Sequence, residues 1–325
     1  MDFHLSFPIP PLPQPVQYDH NILMAGSCFA EEIGGLMAEN RFKVLLNPHG
    51  ILFNPVSIVK TLHTYLDAKV YTPHDLFQQN GAWHSYDHHS RFSGVNQQEV
   101  LQNINNSQTA ATKQLLEADW LIITLGSAFG YTLKENGRLV SNCHKVPQQQ
   151  FNKKLFSAEE IITAIDNVMH RLFFANRKVK IMFTVSPVRY VRDGVVENNL
   201  SKAILLQAVH HLVNKFDRLY YFPAYELVID DLRDYRFYKQ DMVHPNEQAV
   251  QYVWEKFATA CLHPQAQELL KAVQEIGRAR RHRPFIENSE QHRQFLAGYA
   301  QKVRGLMEQH PYLDLQEELQ YFSQG

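Results

Sequence analysis

Residues 22–30 read Ile-Leu-Met-Ala-Gly-Ser-Cys-Phe-Ala: an apolar run, two small residues, then the start of a helical pattern. The same order of events recurs, because the apolar run 120–125 ends at Gly126-Ser127 and the run 179–185 ends at Ser186-Pro187. Further strands are expected at 42–46, broken by Asn47-Pro48-His49-Gly50, and at 219–222. Helices fill the gaps. One spans 28–40 with Phe29, Ile33, Leu36 and Met37 on one face, and others are expected at 56–66, 97–118, 157–174, 199–216 and 246–260. Ser157 and Glu160 form a capping-box pair, and Pro245 marks a helix start. Strands alternating with helices predict parallel βαβ units in one doubly wound sheet. Five strands fit a flavodoxin-like α/β order, with residues 47–119 as a large insertion after strand two.

Within that insertion, residues 71–96 hold no clear period but are rich in aromatics and histidines, which argues for an ordered, functional loop rather than disorder. Asn136-Gly137 predicts a hairpin between 131–134 and 138–141. A proline-rich lead-in at 7–15 is expected to pack over the surface, and 225–232 reads as helical. Past Pro264 the chain is helical and charged. The expected organisation is a sheet domain at 1–262 and a helical C-terminal extension at 263–325.

Bulk properties exclude several classes. A net charge of -1 removes the global basic field that nucleic-acid binding draws on. The three cysteines, Cys28, Cys143 and Cys261, form neither a metal pattern nor a disulfide framework, so reduced thiols in a cytoplasmic compartment are expected. No apolar run approaches the roughly 18 residues of a membrane helix, and the lead-in lacks the basic and apolar regions of a signal peptide.

Ser27 is the first candidate for chemistry. It falls at the carboxyl end of a strand and the amino end of a helix, where open α/β sheets bind ligands and backbone N–H groups favour negative charge. The plain alternative is a helix cap, a role that serine favours. Asp241-Met242-Val243-His244-Pro245 supplies the partners: a carboxylate three residues before an imidazole can fold back, fix its tautomer and stabilise the imidazolium. Here too a turn and a helix start are the structural alternative.

The resemblance becomes specific at this point. Gly26-Ser27-Cys28-Phe29-Ala30 is similar to the signature of the GSCFA family, which is counted among the SGNH/GDSL-type hydrolases. Four further segments resemble that family: Asn47-Pro48-x-Gly50-Ile51-x-Phe53-Asn54-Pro55, Trp83-x-x-x-Asp87-x-His89-x-x-Phe92, Asn142-Cys143-His144-Lys145 and Asp241-x-x-His244-Pro245. The resemblance implies a three-layer α/β/α fold and serine-dependent ester hydrolysis that needs no metal or organic cofactor. It makes Ser27 the nucleophile, His244 the general base and Asp241 its orienter, with the N–H groups of Ser27 and Gly50 as oxyanion donors and Gly126 as a further oxyanion- or substrate-binding residue. SGNH enzymes carry Gly-x-Asn after strand three. Here Gly126-Ser127-Ala128 leaves Ala128 in place of the asparagine, and one such donor is worth about 10²–10³ in rate. Asn142 and His84 are the candidate replacements.

Other groups carry competing readings. His84, Asp87, His88 and His89 could form a substrate-facing wall, a metal site, or ordinary packing of an irregular insertion. Cys28 could itself be a nucleophile, although a first-turn side chain is expected to pack inward. Arg189 and Arg192 could hold a substrate anion or lie in a solvated loop. Arg278, Arg280, Arg281 and Arg283 are expected on a solvated helix face. The expected function is hydrolysis of a small-molecule or glycan ester, with acyl transfer by the same residues and a low-activity binding module as the other possibilities.

Overall fold

A computed structural model describes residues 5–286 and 289–323. Its centre is a five-stranded parallel sheet built from β1 (Ile22–Gly26), β2 (Val44–Leu46), β3 (Trp120–Leu125), β4 (Lys180–Val185) and β5 (Leu219–Tyr221). Their order is β2-β1-β3-β4-β5, the flavodoxin-like arrangement expected from the sequence. The register pairs Gly26 with Thr124 and Thr124 with Thr184, so β1, β3 and β4 end level with one another.

Helices cover both faces of the sheet, giving three α/β/α layers. Side chains alternate along each strand. Ile22, Met24, Trp120, Ile122 and Met182 enter one core, while Leu23, Leu121, Ile123 and Phe183 enter the other. Burial on both faces explains why these strands read as continuous apolar runs. The first core lies under α1 (Cys28–Glu39) and α6 (Glu247–Cys261), and the second under α2 (Pro55–Leu66), α3 (Gln97–Glu117), α4 (Ala158–Ala175) and α5 (Val195–Lys215). Caps set the helix starts: Asn54 accepts from Ser57 N–H with Pro55 at the first position, Ser157 and Glu160 form the expected capping box, and Asn246 accepts from Ala249 N–H.

The insertion is more regular than its sequence suggests. Asn80 and Gly81, both at positive φ, turn a short hairpin between Phe77–Gln79 and Ala82–His84. Asn-Gly flanked by short strands is a recognised signal that the aromatic and histidine content masked. The hairpin expected around Asn136-Gly137 forms between Phe129–Leu133 and Leu139–Val140, and a third strand, Phe151–Leu155, adds to its other side. The segment read as one helix at 225–232 is a single α-turn followed by a wider, five-residue-spaced turn at Leu227–Leu232.

Past α6, α7 (Pro264–Arg281), α8 (Glu290–Gln309) and α9 (Gln316–Phe322) complete the chain. Leu270, Val273, Val303 and Phe322 share one apolar core with Ile22 and Trp254, so these helices extend the layer that covers β1. Arg280 is not free in solvent; it meets Glu317 and Glu318 on α9. The lead-in runs over the end of α6, with Leu12 N–H on Ala260 O and Val16 N–H on Cys261 O at 2.8 Å each.

Gly26 closes β1 at φ +147, and a Cβ there would press on the Thr124 carbonyl and lie 2.8 Å from Thr124 N. Both the strained φ and the rigid neighbour penalise any side chain. Gly26→Ala is expected to cost about 3 kcal/mol of folding free energy, seen as a lower denaturant midpoint; an unchanged midpoint would mean that β1 and β3 separate at little cost.

Candidate active site

Ser27 follows β1 at the point where the chain order reverses, with β2 on one side and β3 on the other. It is buried, and it caps α1: its Oγ accepts from Phe29 N–H at 3.3 Å. Its own N–H continues the parallel ladder by one rung and donates to Thr124 O at 3.0 Å. Gly126 lies alongside, with so little room that an added Cβ would lie 3.2 Å from Ser27 Cβ.

The Asp241–His244 pair forms as its spacing predicted. Asp241 Oδ2 meets His244 Nδ1 at 2.7 Å, while Oδ1 accepts the N–H groups of Val243 (2.9 Å) and His244 (3.0 Å). Those two backbone donors, then the imidazole, hold the Asp241 carboxyl well below the usual carboxylate range. Met242 at positive φ makes the fold-back possible. The turn is tied to the sheet's carboxyl edge at two points: Val243 O accepts from Arg189 N–H in the loop after β4, and Lys239 pairs with Glu32 of α1 at 3.1 Å. Among the described residues no hydrogen bond joins His244 to Ser27.

The expected oxyanion donors are occupied. Besides Ser27 N–H, Gly126 N–H donates to Phe53 O at 2.7 Å and Gly50 N–H closes a turn on Asn47 O at 2.7 Å. Gly50 serves close packing instead: at φ +80 it lies against His89 Cβ, where any side chain would clash. Neither proposed replacement donor is brought to Ser27 by a bond in the structure. Asn142 Oδ1 accepts from His144 N–H (2.9 Å), and His84 spends both nitrogens, Nδ1 with Ser93 Oγ (2.7 Å) and Nε2 with Gln79 O (3.2 Å).

Most of the histidine-rich loop builds the insertion's interior. Asp87 is buried between Lys60 (2.5 Å) and Arg138 (3.1 Å); burial raises its carboxyl, and the two cations outweigh that and hold it low. His49 and His88 stack at 4.1 Å among Tyr65 and Tyr71, and burial pushes His49 down to about 4, so it stays neutral. Burial likewise lowers His88 and raises the Cys28 thiol, which disfavours a Cys28 thiolate. Among the described residues no three His, Cys, Asp or Glu side chains converge as metal ligands. Burial lowers the His89 imidazole, and the Glu31 carboxylate of α1 pulls the other way.

Four residues given no role in the sequence analysis, Asn47, Arg91, Lys202 and Ser201, organise the edge. Asn47 accepts Gly26 N–H on Oδ1 at 2.8 Å and donates from Nδ2 to Glu31 of α1 at 3.3 Å. Arg91 donates to Asn47 O and meets Glu31 at 3.5 Å. Lys202 on α5 is fully buried and donates to Gly126 O and Ser186 O, both at 2.6 Å, tying together the ends of β3 and β4. Its neighbour Ser201 accepts Ala128 N–H at 2.8 Å. The stretch where an asparagine was missing is thus gripped from below by Ser201-Lys202. A signal existed: positions 198, 201, 202 and 205 follow helical spacing back from the apolar face of α5.

A doubly wound sheet whose carboxyl edge carries a helix-capping serine and a carboxylate-backed imidazole defines an α/β/α protein. Residues 21–257 match the GSCFA family and residues 273–325 match the C-terminal domain of GSCFA domain proteins; the chain belongs to the GSCFA family. No curated protein matches it in sequence. Among solved structures it is similar to an acetyl xylan esterase from the rumen bacterium Butyrivibrio proteoclasticus at 11% identity and a TM-score of 0.31, covering 81% of this chain and 65% of that one. None of the described helices is long and apolar enough to cross a membrane.

Burial pushes the Lys202 ammonium from 10.5 down to about 7, against an opposing pull from Cys28. Between those values the unfolded chain holds a proton that the folded protein lacks, so folding stability gains as pH rises from about 7 to 10.5. The stability of wild type minus that of Lys202→Met, from denaturant titrations, is expected to climb over this window by a few kcal/mol, on the order set by the shift. A flat difference would mean that the two carbonyls solvate the ammonium as well as water does.

Proposed function

We propose that the chain is a serine-dependent ester hydrolase of the SGNH type, acting on a small or carbohydrate-borne ester. The observation that carries this reading is the 2.7 Å Asp241–His244 contact, tied by Lys239 to the helix that Ser27 starts. With Nδ1 held by the carboxylate, His244 keeps Nε2 for proton transfer. Ser27 Oγ attacks the ester carbonyl, its proton passes to His244 Nε2, and the imidazolium returns it to the departing alcohol. Water then repeats the sequence on the acyl-enzyme, releasing the acid. An alcohol in place of that water gives acyl transfer with the same residues. The His244 ring must come onto Ser27 Oγ for this, and catalytic hydrogen bonds commonly tighten only with substrate in place.

One observation favours a second reading, a binding module with little turnover. The N–H groups of Ser27, Gly50 and Gly126 all donate to carbonyls of the protein itself. An oxyanion at Ser27 would need one of these to let go, or another donor.

Hydrolysis of p-nitrophenyl acetate is expected to fall at least about 10³-fold in Ser27→Ala and His244→Ala. A fluorophosphonate probe is expected to add once per chain to wild type and not to Ser27→Ala, read by intact mass. Turnover that survives Ser27→Ala would sink the esterase reading. A stable, folded wild type that neither turns over esters nor takes the probe would favour the binding module.

A further inference from the structure

A cleft of about 520 Å³ is lined by Phe53, which packs against Gly126, the neighbour of Ser27. The Phe53 carbonyl accepts from Gly126 N–H, and its ring stacks on Tyr190 at 5.9 Å. Tyr131 stands edge-on to Phe151 at 6.5 Å, and with Phe53 and Tyr190 these rings make one side of the cleft aromatic. Lys145 and Arg192 bring charge from two separate segments, and no Asp or Glu lines the cleft. Neither cation has a hydrogen bond or ion pair among the described residues, in contrast to Arg138 and Lys153 nearby, which pair with Asp87 and Asp193.

Two further features belong to this cleft. Ser141 also lines the cleft, is 7% exposed, and its hydroxyl has no hydrogen-bond partner among the described residues. His144 and Lys145 stand in succession at φ +48 and +60, a conformation that costs energy for non-glycine residues and clusters at ligand clamps. Asn142 Oδ1 on His144 N–H and Ser85 O on His144 Nε2 (2.7 Å) hold that turn, which leaves Lys145 exposed at the cleft.

We propose that this cleft holds an anion-bearing saccharide, with Lys145 and Arg192 on its carboxylate or phosphate and the Tyr131–Tyr190 wall against its ring. Calling that saccharide the alcohol part of the ester rests on the hydrolase reading above; the anion site itself does not. Unpaired cations select a charged group, aromatic faces suit the apolar face of a sugar, and an unpartnered hydroxyl suits its hydroxyls.

Calorimetric titration of Ser27→Ala separates the alternatives, with digalacturonate, glucose 6-phosphate and neutral maltose as probes. At least one anionic sugar is expected to bind about tenfold or more tightly than maltose, and Arg192→Gln or Lys145→Gln in that background to remove most of the difference, with partial rescue by Arg192→Lys. Preference for digalacturonate or for glucose 6-phosphate identifies the carboxylate or the phosphate as the anion. Equal binding of charged and neutral sugars, or binding that ignores both substitutions, overturns the proposal. Charge-selective binding alongside Ser27-independent hydrolysis would keep the anion site and reject the esterase, while Ser27-dependent hydrolysis without charge selectivity would do the reverse.

Discussion

Asn47 bridges the end of β1 and the first turn of α1, and the rest of the edge is arranged around that bridge. Its Oδ1 takes the Gly26 N–H, its N–H reaches Met24 O, and its Nδ2 meets Glu31. Gly26 is thereby held at the end of β1, where Ser27 carries the chain into α1. A side-chain amide is suited to this because it offers an acceptor and donors from one rigid plane. The left-handed backbone of Asn47, at φ +43, is tolerated because asparagine enters that region more readily than most residues.

From that fixed point the neighbours fall into two kinds. Backbone groups close to Ser27 are saturated: the ladder, the Phe53 carbonyl and the Asn47 turn use the N–H groups that an incoming oxyanion would want. Side chains farther out are left with capacity to spare: His244 Nε2, the Asn142 amide, and the two cleft cations.

The sheet was legible in the sequence because strands buried on both faces become uninterrupted apolar runs, and the Asp241–His244 pair was legible because its geometry is local, set by three residues and one turn. What escaped was long-range. Nothing in Gly50 or Gly126 announces that their N–H groups face Asn47 O and Phe53 O, since those partners are fixed only when separate loops meet. Lys202 escaped because a lysine in a helix reads as solvated, although its spacing placed it on the face with Leu205. The insertion misled for a related reason: its histidines suggest ligands, yet His49 and His88 act as neutral aromatic filler around Tyr65 and Tyr71.

The helix that begins at Ser27 is gripped at its far end as well. Arg41, just past α1, makes hydrogen bonds with Glu317 (3.0 Å) and Glu318 on α9, and Arg280 shares both acids. Glu318 is largely buried there, so this is a charge cluster shielded from screening rather than an exposed pair. Loss of α9 would therefore strip the Arg41 guanidinium, at the end of α1 opposite Ser27, of both its carboxylate partners.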